Sequence, residues 1–164
     1  MRTTLVLLAF LAATCFTSEL KAQLSLGGGV AYGTEIKEIG IQVRGIYGFT
    51  EQWRGGADFI YWLVGDGVTG WELNANGHYV FTEGDFLAYG LAGVNYFNTS
   101  IDDIVIPGFG TIEGGSSSEI GLNIGAGGQI KFSDSISGLA EVKYVLGNAD
   151  QLALSAGILF TLGN

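Results

Sequence analysis

Arg44, Arg54, Asp58, Glu72, His78, Glu119, Lys131, Glu141 and Lys143 are the side chains of this sequence best suited to chemistry, and all sit in segments that alternate apolar and polar residues. His78 is the only histidine. A general base must reach a nucleophile and its substrate through hydrogen bonds. His78 instead shares a face with Glu72, Asn74 and Asn76, opposite Leu73, Ala75 and Tyr79, so an interior hydrogen-bonding role is expected and no catalytic residue is assigned. One histidine, and a single cysteine at position 15, do not supply the donors of ordinary histidine or thiolate metal sites. The adjacent acids Asp102 and Asp103 fall short of the six to eight oxygens that calcium takes. Gly65-Asp66-Gly67-Val68-Thr69-Gly70 has the spacing of a dinucleotide-binding loop, but that loop must open a helix, and Trp71 to Phe81 alternates as a strand. No cofactor is expected.

The elements that carry these residues are strands, because successive side chains of a strand point to opposite faces. Trp71 to Phe81 sets Trp71, Leu73, Ala75, Tyr79 and Phe81 against Glu72, Asn74, Asn76 and His78. Ile39 to Phe49, Trp53 to Leu63, Ile120 to Phe132 and the segment ending Leu152 to Leu162 repeat the design. Leu24 to Tyr32, Phe86 to Phe97 and Ser137 to Leu146 bring the count to eight. Phe86 to Phe97 is apolar on both faces near its start, which leaves its phase open and allows a bulge.

Eight strands closed into a barrel enclose a space only wide enough for side chains. Charges on the inner face must then pair. If Glu51 centres its hairpin, Arg44 lies across from Asp58, and a similar count brings Lys131 near Glu141. The cluster reads either as a polar conduit or as a salt-bridged plug. The plug is favoured, since partly satisfied buried charges are costly.

The first 22 residues are expected to be a signal peptide, with Arg2 as its basic start, an apolar run from Leu5 to Phe16, and cleavage after Ala22. The run is too short to span a bilayer as a helix. A lipoprotein cleavage before Cys15 would need a small residue where Thr14 stands. Loss of residues 1–22 removes Arg2, Lys21 and Glu19, leaving five basic against fifteen acidic residues in a barrel domain of residues 23–164. Nucleic acid is excluded as a partner by that balance, because phosphates are met by clustered Lys and Arg. The remaining chain is cysteine-free and rich in glycine and aromatic residues, and no segment of it is apolar for long enough to form a membrane helix.

Connections and aromatic residues add direction. The links Thr50 to Gln52, Thr82 to Asp85 and Ser133 to Ser135 are short and polar, whereas the alternate set, Gly33 to Glu38, Val64 to Gly70, Asn98 to Ser118 and Gly147 to Asp150, contains the longest. Outer-membrane barrels have this asymmetry, with tight periplasmic turns and longer outer loops. Tyr47, Phe49, Trp53, Tyr79, Phe81, Phe132 and Phe160 lie beside the short turns, and Tyr32, Tyr61, Trp71, Phe97 and Tyr144 near the other end. Two interfacial belts are predicted.

The chain resembles the small eight-stranded outer-membrane β-barrel family, the outer membrane protein β-barrel domains. The segment that carries the resemblance best is Ser155-Ala156-Gly157-Ile158-Leu159-Phe160-Thr161-Leu162, with further likeness in Tyr89 to Val94 and Gly121 to Gly127. The resemblance implies a closed, all-β, up-and-down transmembrane barrel, with Ser155, Gly157, Phe160 and Leu162 read by the barrel-assembly machinery. The chain ends Leu162-Gly163-Asn164, where many members end on an aromatic residue. The expected protein is a monomeric, non-enzymatic barrel in contact with outer-membrane lipid, with a structural or surface-interaction role. Asn98 to Ser118 is either a surface for a ligand or a hairpin extension. Alternatives are a narrow channel for small solutes and a lipid-modifying enzyme.

Overall fold

The computed structural model describes residues 23–65, 67–82, 84–106, 110–147 and 150–162. The expected signal segment 1–22 lies outside them. Ten strands follow in order: β1 (Leu24–Gly33), β2 (Glu38–Gly48), β3 (Trp53–Trp62), β4 (Val68–Val80), β5 (Phe86–Ile101), β6 (Ile104–Ile106), β7 (Gly110–Ile112), β8 (Gly115–Lys131), β9 (Ile136–Leu146) and β10 (Gln151–Leu162). Eight of them close a barrel in the order β1-β10-β9-β8-β5-β4-β3-β2, while β6 and β7 form a small separate sheet. Every barrel pair is antiparallel, and β1 seals against β10 from Leu24↔Leu162 to Gly33↔Ala153. The all-β, closed, eight-stranded antiparallel barrel expected from the alternation is confirmed. Closure removes the exposed edges that would otherwise invite strand pairing with other chains.

Burial follows residue parity. On β2, Ile39, Ile41 and Val43 are more than half exposed, whereas Gln42 and Arg44 between and beside them are 4 % and 7 % exposed. The outer wall is apolar and the inner wall largely polar, the reverse of a water-soluble barrel. Among the described residues no helix is long and apolar enough to cross a membrane.

The three hairpin turns at one end share a local device. Each begins with a phenylalanine followed by a hydroxyl residue: Phe49-Thr50, Phe81-Thr82 and Phe132-Ser133. The hydroxyl closes the turn by bonding to backbone ahead of it. Thr50 Oγ1 accepts from the N–H of Trp53 at 2.9 Å, Thr82 Oγ1 accepts from Ala88 N–H at 2.7 Å, and Ser133 Oγ accepts from Ile136 N–H at 3.2 Å. Each phenylalanine ring lies outside, over a glycine of the adjoining strand. A Cβ on Gly138 would come 2.7 Å from the Phe132 ring, and one on Gly55 3.0 Å from Phe49. An aromatic ring over glycine shields backbone that has no side chain of its own.

Three expectations change. No bulge interrupts Phe86 to Phe97, whose pairing with β4 and β8 runs without a break. Its phase puts Tyr89, Leu91 and Asn95 inside. Phe97 therefore leaves the outer belt and packs inside against Ile60 and Trp62, while Tyr96 takes the outward place. Second, the unequal connections reduce to one excursion, because the links 34–37, 63–67 and 147–150 are as short as 49–52, 81–85 and 132–135. Third, much of the Asn98 to Ser118 segment is sheet: β5 and β8 stay paired out to Ile101↔Gly115, with the β6–β7 hairpin beyond. It is the hairpin extension of the two readings. Val68 to Val80 is strand throughout, so the glycine-rich stretch before it opens no helix.

Candidate functional site: the barrel interior

The inner wall carries two apolar clusters and a set of buried polar side chains. At the short-turn end Ile46, Val80, Tyr89, Leu91, Leu139 and Leu159 form an apolar cluster, joined by Leu87. At the opposite end Ala31, Ile60 and Trp62 form a second, packed against Ile36, Val64 and Phe97. Between and beside them lie the buried polar residues Gln42, Arg44, Asp58, Glu72, Asn74, Asn76, His78, Asn95, Asn123, Glu141 and Lys143.

Two ion pairs organise these residues. Arg44 donates two bonds to Glu141, Nη1 to Oε2 at 2.8 Å and Nη2 to Oε1 at 3.0 Å. The planar guanidinium matches the carboxylate fork, which makes such bonds strong and directional. The Tyr89 hydroxyl donates to Glu141 Oε2 at 2.8 Å, and Ser155 Oγ accepts from Arg44 Nη2 at 3.4 Å. Lys143 Nζ lies 3.1 Å from Glu72 Oε1, an oxygen that also accepts from Asn74 Nδ2 at 2.8 Å; Gln151 Nε2 donates to Glu72 Oε2 at 3.3 Å. Asp58 is held by amides, with Oδ1 accepting from Gln42 Nε2 at 2.8 Å and Asn74 Nδ2 at 3.0 Å. Asn95 and Asn123 both donate to Asn74 Oδ1, and Asn123 also to Asn76 Oδ1. The bonds form two networks: one joins Arg44, Glu141, Tyr89 and Ser155, and a larger one around Asn74 and Glu72 ties β2, β3, β4, β5, β8, β9 and β10 together across the lumen.

Arg44 and Asp58 are register partners on β2 and β3, but the ion pair of Arg44 is with Glu141 on the far wall. The pairing of Lys131 with Glu141 is overturned. The β8–β9 register sets Lys131 opposite Ser137 and Gly127 opposite Glu141, because the turn centres near Asp134, two residues before the centre that pairing would require. Lys131 is exposed at the rim, 3.3 Å from Asp134. Glu119 lies half-buried near the other mouth, with Oε2 shielded and without a hydrogen-bond partner. Arg54 donates from Nη1 to Gln129 Oε1 at 2.9 Å, and its guanidinium carbon lies 4.9 Å from the centre of the Tyr89 ring. His78 is 2 % exposed and stacks on the Tyr89 ring, with ring centres 4.8 Å apart.

Two glycines make room for that stack. A Cβ at Gly56 would meet His78 Cε1 at 2.8 Å, and one at Gly127 would meet the Tyr89 hydroxyl oxygen at 2.4 Å. Tyr89 and Asn95 did not stand out in the sequence; Gln42, Asn123 and Gln151 lie on the polar faces that the alternation gives, but nothing in it joins them to the charged cluster. The polar Asn95 inside an apolar run was the signal that could have set the phase of β5 and brought Tyr89 inward with it. Among the described residues, no group of three or more His, Cys, Asp or Glu side chains could hold a metal ion. In β10, Ser155 and Gly157 face inward, and Phe160 and Leu162 face outward beside β1.

The fold and its polar interior define a closed, eight-stranded antiparallel barrel with an apolar outer wall. No protein-family model and no curated protein matches the sequence. Solved structures do match in fold. The N-terminal β-barrel domain of Pseudomonas aeruginosa OprF aligns with a TM-score of 0.69 at 15 % identity, over 85 % of this chain and 97 % of that one. Ail, the attachment invasion locus protein of Yersinia pestis, in complex with the heparin analogue sucrose octasulfate, aligns at 0.62 and 17 % identity, over 87 % and 100 %. Neisserial surface protein A aligns at 0.60 and 17 % identity, over 85 % and 94 %.

Proposed function

We propose that this chain is an integral outer-membrane barrel, exported with its first 22 residues as a signal and folded as a monomer, with a structural or surface-interaction role and no catalytic site. The observation that carries the reading is the apolar outer wall around a closed barrel with a polar, cross-linked interior. Only lipid satisfies such a wall without further partners, and barrels cross membranes because every backbone group is paired within the sheet. Most barrel strands are 10 to 13 residues long. That suits the roughly 9 to 11 tilted residues that span a bilayer. Ser155, Gly157, Phe160 and Leu162 in the closing strand serve as the assembly signal.

The rim at the β5–β8 extension is acidic. Glu35, Glu38, Asp102, Asp103, Glu113 and Asp150 lie there with Lys37 as the one base among the described residues. A partner at this rim is therefore cationic, and a polysulfate of the kind bound to Ail is repelled. Fractionation with the outer membrane, and a band that migrates differently before and after boiling, test the assignment; recovery as a soluble periplasmic protein overturns it. The channel reading is disfavoured by the buried side chains that bond to one another across the lumen. The lipid-modifying reading is disfavoured by His78, which is buried against Tyr89 and does not face lipid.

A further inference from the structure

Three cations face the barrel interior, and two of them are matched: Arg44 with Glu141, and Lys143 with Glu72. Arg54 is the third. It makes no ion pair among the described residues, and its Nε and Nη2 are shielded from solvent without hydrogen-bond partners. Its Nη1 reaches only the neutral amide of Gln129. A guanidinium held out of water with so few acceptors is costly, and an anion beside it recovers part of that cost.

The space for such an anion is present. A cavity of about 450 Å³ opens at the short-turn mouth, with Arg54 and Gln129 on its wall beside Ser25 and Thr161. Ser25 Oγ and Thr161 Oγ1 lie 3.2 Å apart, and either can donate. Its floor is the apolar cluster at that mouth, including Ile46, Val80 and Leu159. A second cavity of about 510 Å³ adjoins it and shares Gln23, Leu87, Gln129 and Thr161 with it. Small-molecule sites of roughly 300 to 1,000 Å³ combine an apolar lining with a few convergent polar groups in this way.

We infer that this vestibule is a binding site for an amphipathic monocarboxylate, with Arg54 as the carboxylate anchor and the Ile46, Val80 and Leu159 floor receiving its aliphatic tail. The carboxylate takes the place of Gln129 Oε1 at Arg54 Nη1, and the released amide turns to donate to the ligand. Glu51 lies on the same wall, and the adjoining one carries Asp85 beside the Lys131–Asp134 ion pair, so the unmatched charges other than Arg54 are negative and a second negative charge on the ligand is disfavoured. The site rests on the barrel itself; its facing the periplasm rests on the membrane orientation proposed above.

The test is titration of sodium octanoate into the barrel in nanodiscs of a zwitterionic lipid, read by the Arg54 side-chain N–H resonance. Octylammonium, octanol and acetate are run in parallel. Octanoate is expected to give a saturable shift, acetate a much weaker one, and octylammonium and octanol none. Arg54→Gln is expected to weaken octanoate binding at least about tenfold, the scale of one lost charge-assisted bond. For Arg54→Gln, binding is followed through the Gln129 amide resonances. Arg54→Lys keeps the charge without the fork, and partial retention of binding there supports the site even if Arg54→Gln fails to fold. An unsaturable response, an equal response to octanol, or unchanged octanoate affinity in either folded variant overturns it. A tag on the turn at residues 133–135, probed for access from outside the cell, reports the orientation separately.

Discussion

Arg44 and Glu141 stand 97 residues apart in the chain and meet across the lumen through two bonds, with Tyr89 adding a third to the same carboxylate. Burying two charges is expensive, so the value of the pair lies in its being complete. Removing one partner leaves an uncompensated buried charge, which costs about 3–5 kcal/mol. Glu141→Ala is therefore expected to lower barrel stability by that amount in urea titrations in lipid bilayers. The Arg44→Ala, Glu141→Ala double variant is expected to lose less than the sum of the single losses. Additive losses would show that the pair contributes no coupling. Gly127→Ala is the steric counterpart. Its new methyl meets the Tyr89 ring, so a loss of about 1–3 kcal/mol is expected from overpacking, measurable in the same titration.

At the level of elements, the short turns and the long excursion behave differently. Thr82 both donates to Phe86 O and accepts from Ala88 N–H, at 2.9 and 2.7 Å. Thr82→Val removes both bonds in a turn whose geometry positions β5, and about 1–2 kcal/mol of stability is expected to go with them. The measurement is equilibrium unfolding of the variant beside Thr50→Val, which removes turn bonds of the same type. The β6–β7 hairpin, by contrast, pairs only with itself. Replacing residues 102–114 by a two-residue Asn-Gly turn is expected to leave the boiling-dependent gel shift intact. Loss of that shift would mean the extension supports the barrel wall.

For the whole molecule, the decisive feature is that the lumen is filled. Buried side chains cross-linked over seven strands cross the lumen, with apolar clusters packed beside them, so no continuous water-filled path is expected. The barrel is expected to show no discrete openings in planar bilayers at moderate voltage, and regular single-channel steps would overturn the closed reading. The acidic rim adds a second outcome at this scale: whole cells displaying the barrel are expected not to bind heparin resin, and salt-sensitive retention there would contradict the charge argument. The proposed export adds a third: the mature chain is expected to begin at Gln23 by mass spectrometry.

The sequence by itself determined the class of fold and, outside β5, the face on which the strand side chains lie. Strand periodicity is local, so Leu73 outward and Asn74 inward could be read from their neighbours alone. The same is true of Phe49, Phe81 and Phe132, each followed by the hydroxyl that closes its turn. It did not determine the phase of β5, where Ala88 to Ala92 is apolar on both faces and local contrast vanishes. Nor did it determine who meets whom inside. Counting from a turn gives a neighbour on the adjoining strand, which is how Arg44 reaches its register partner Asp58. Its true ion partner is Glu141 on the opposite wall, and Arg54 is left over at the mouth. Those pairings depend on depth along the axis and position around it, and both are set only when β1 seals to β10 and fixes the stagger of every strand between.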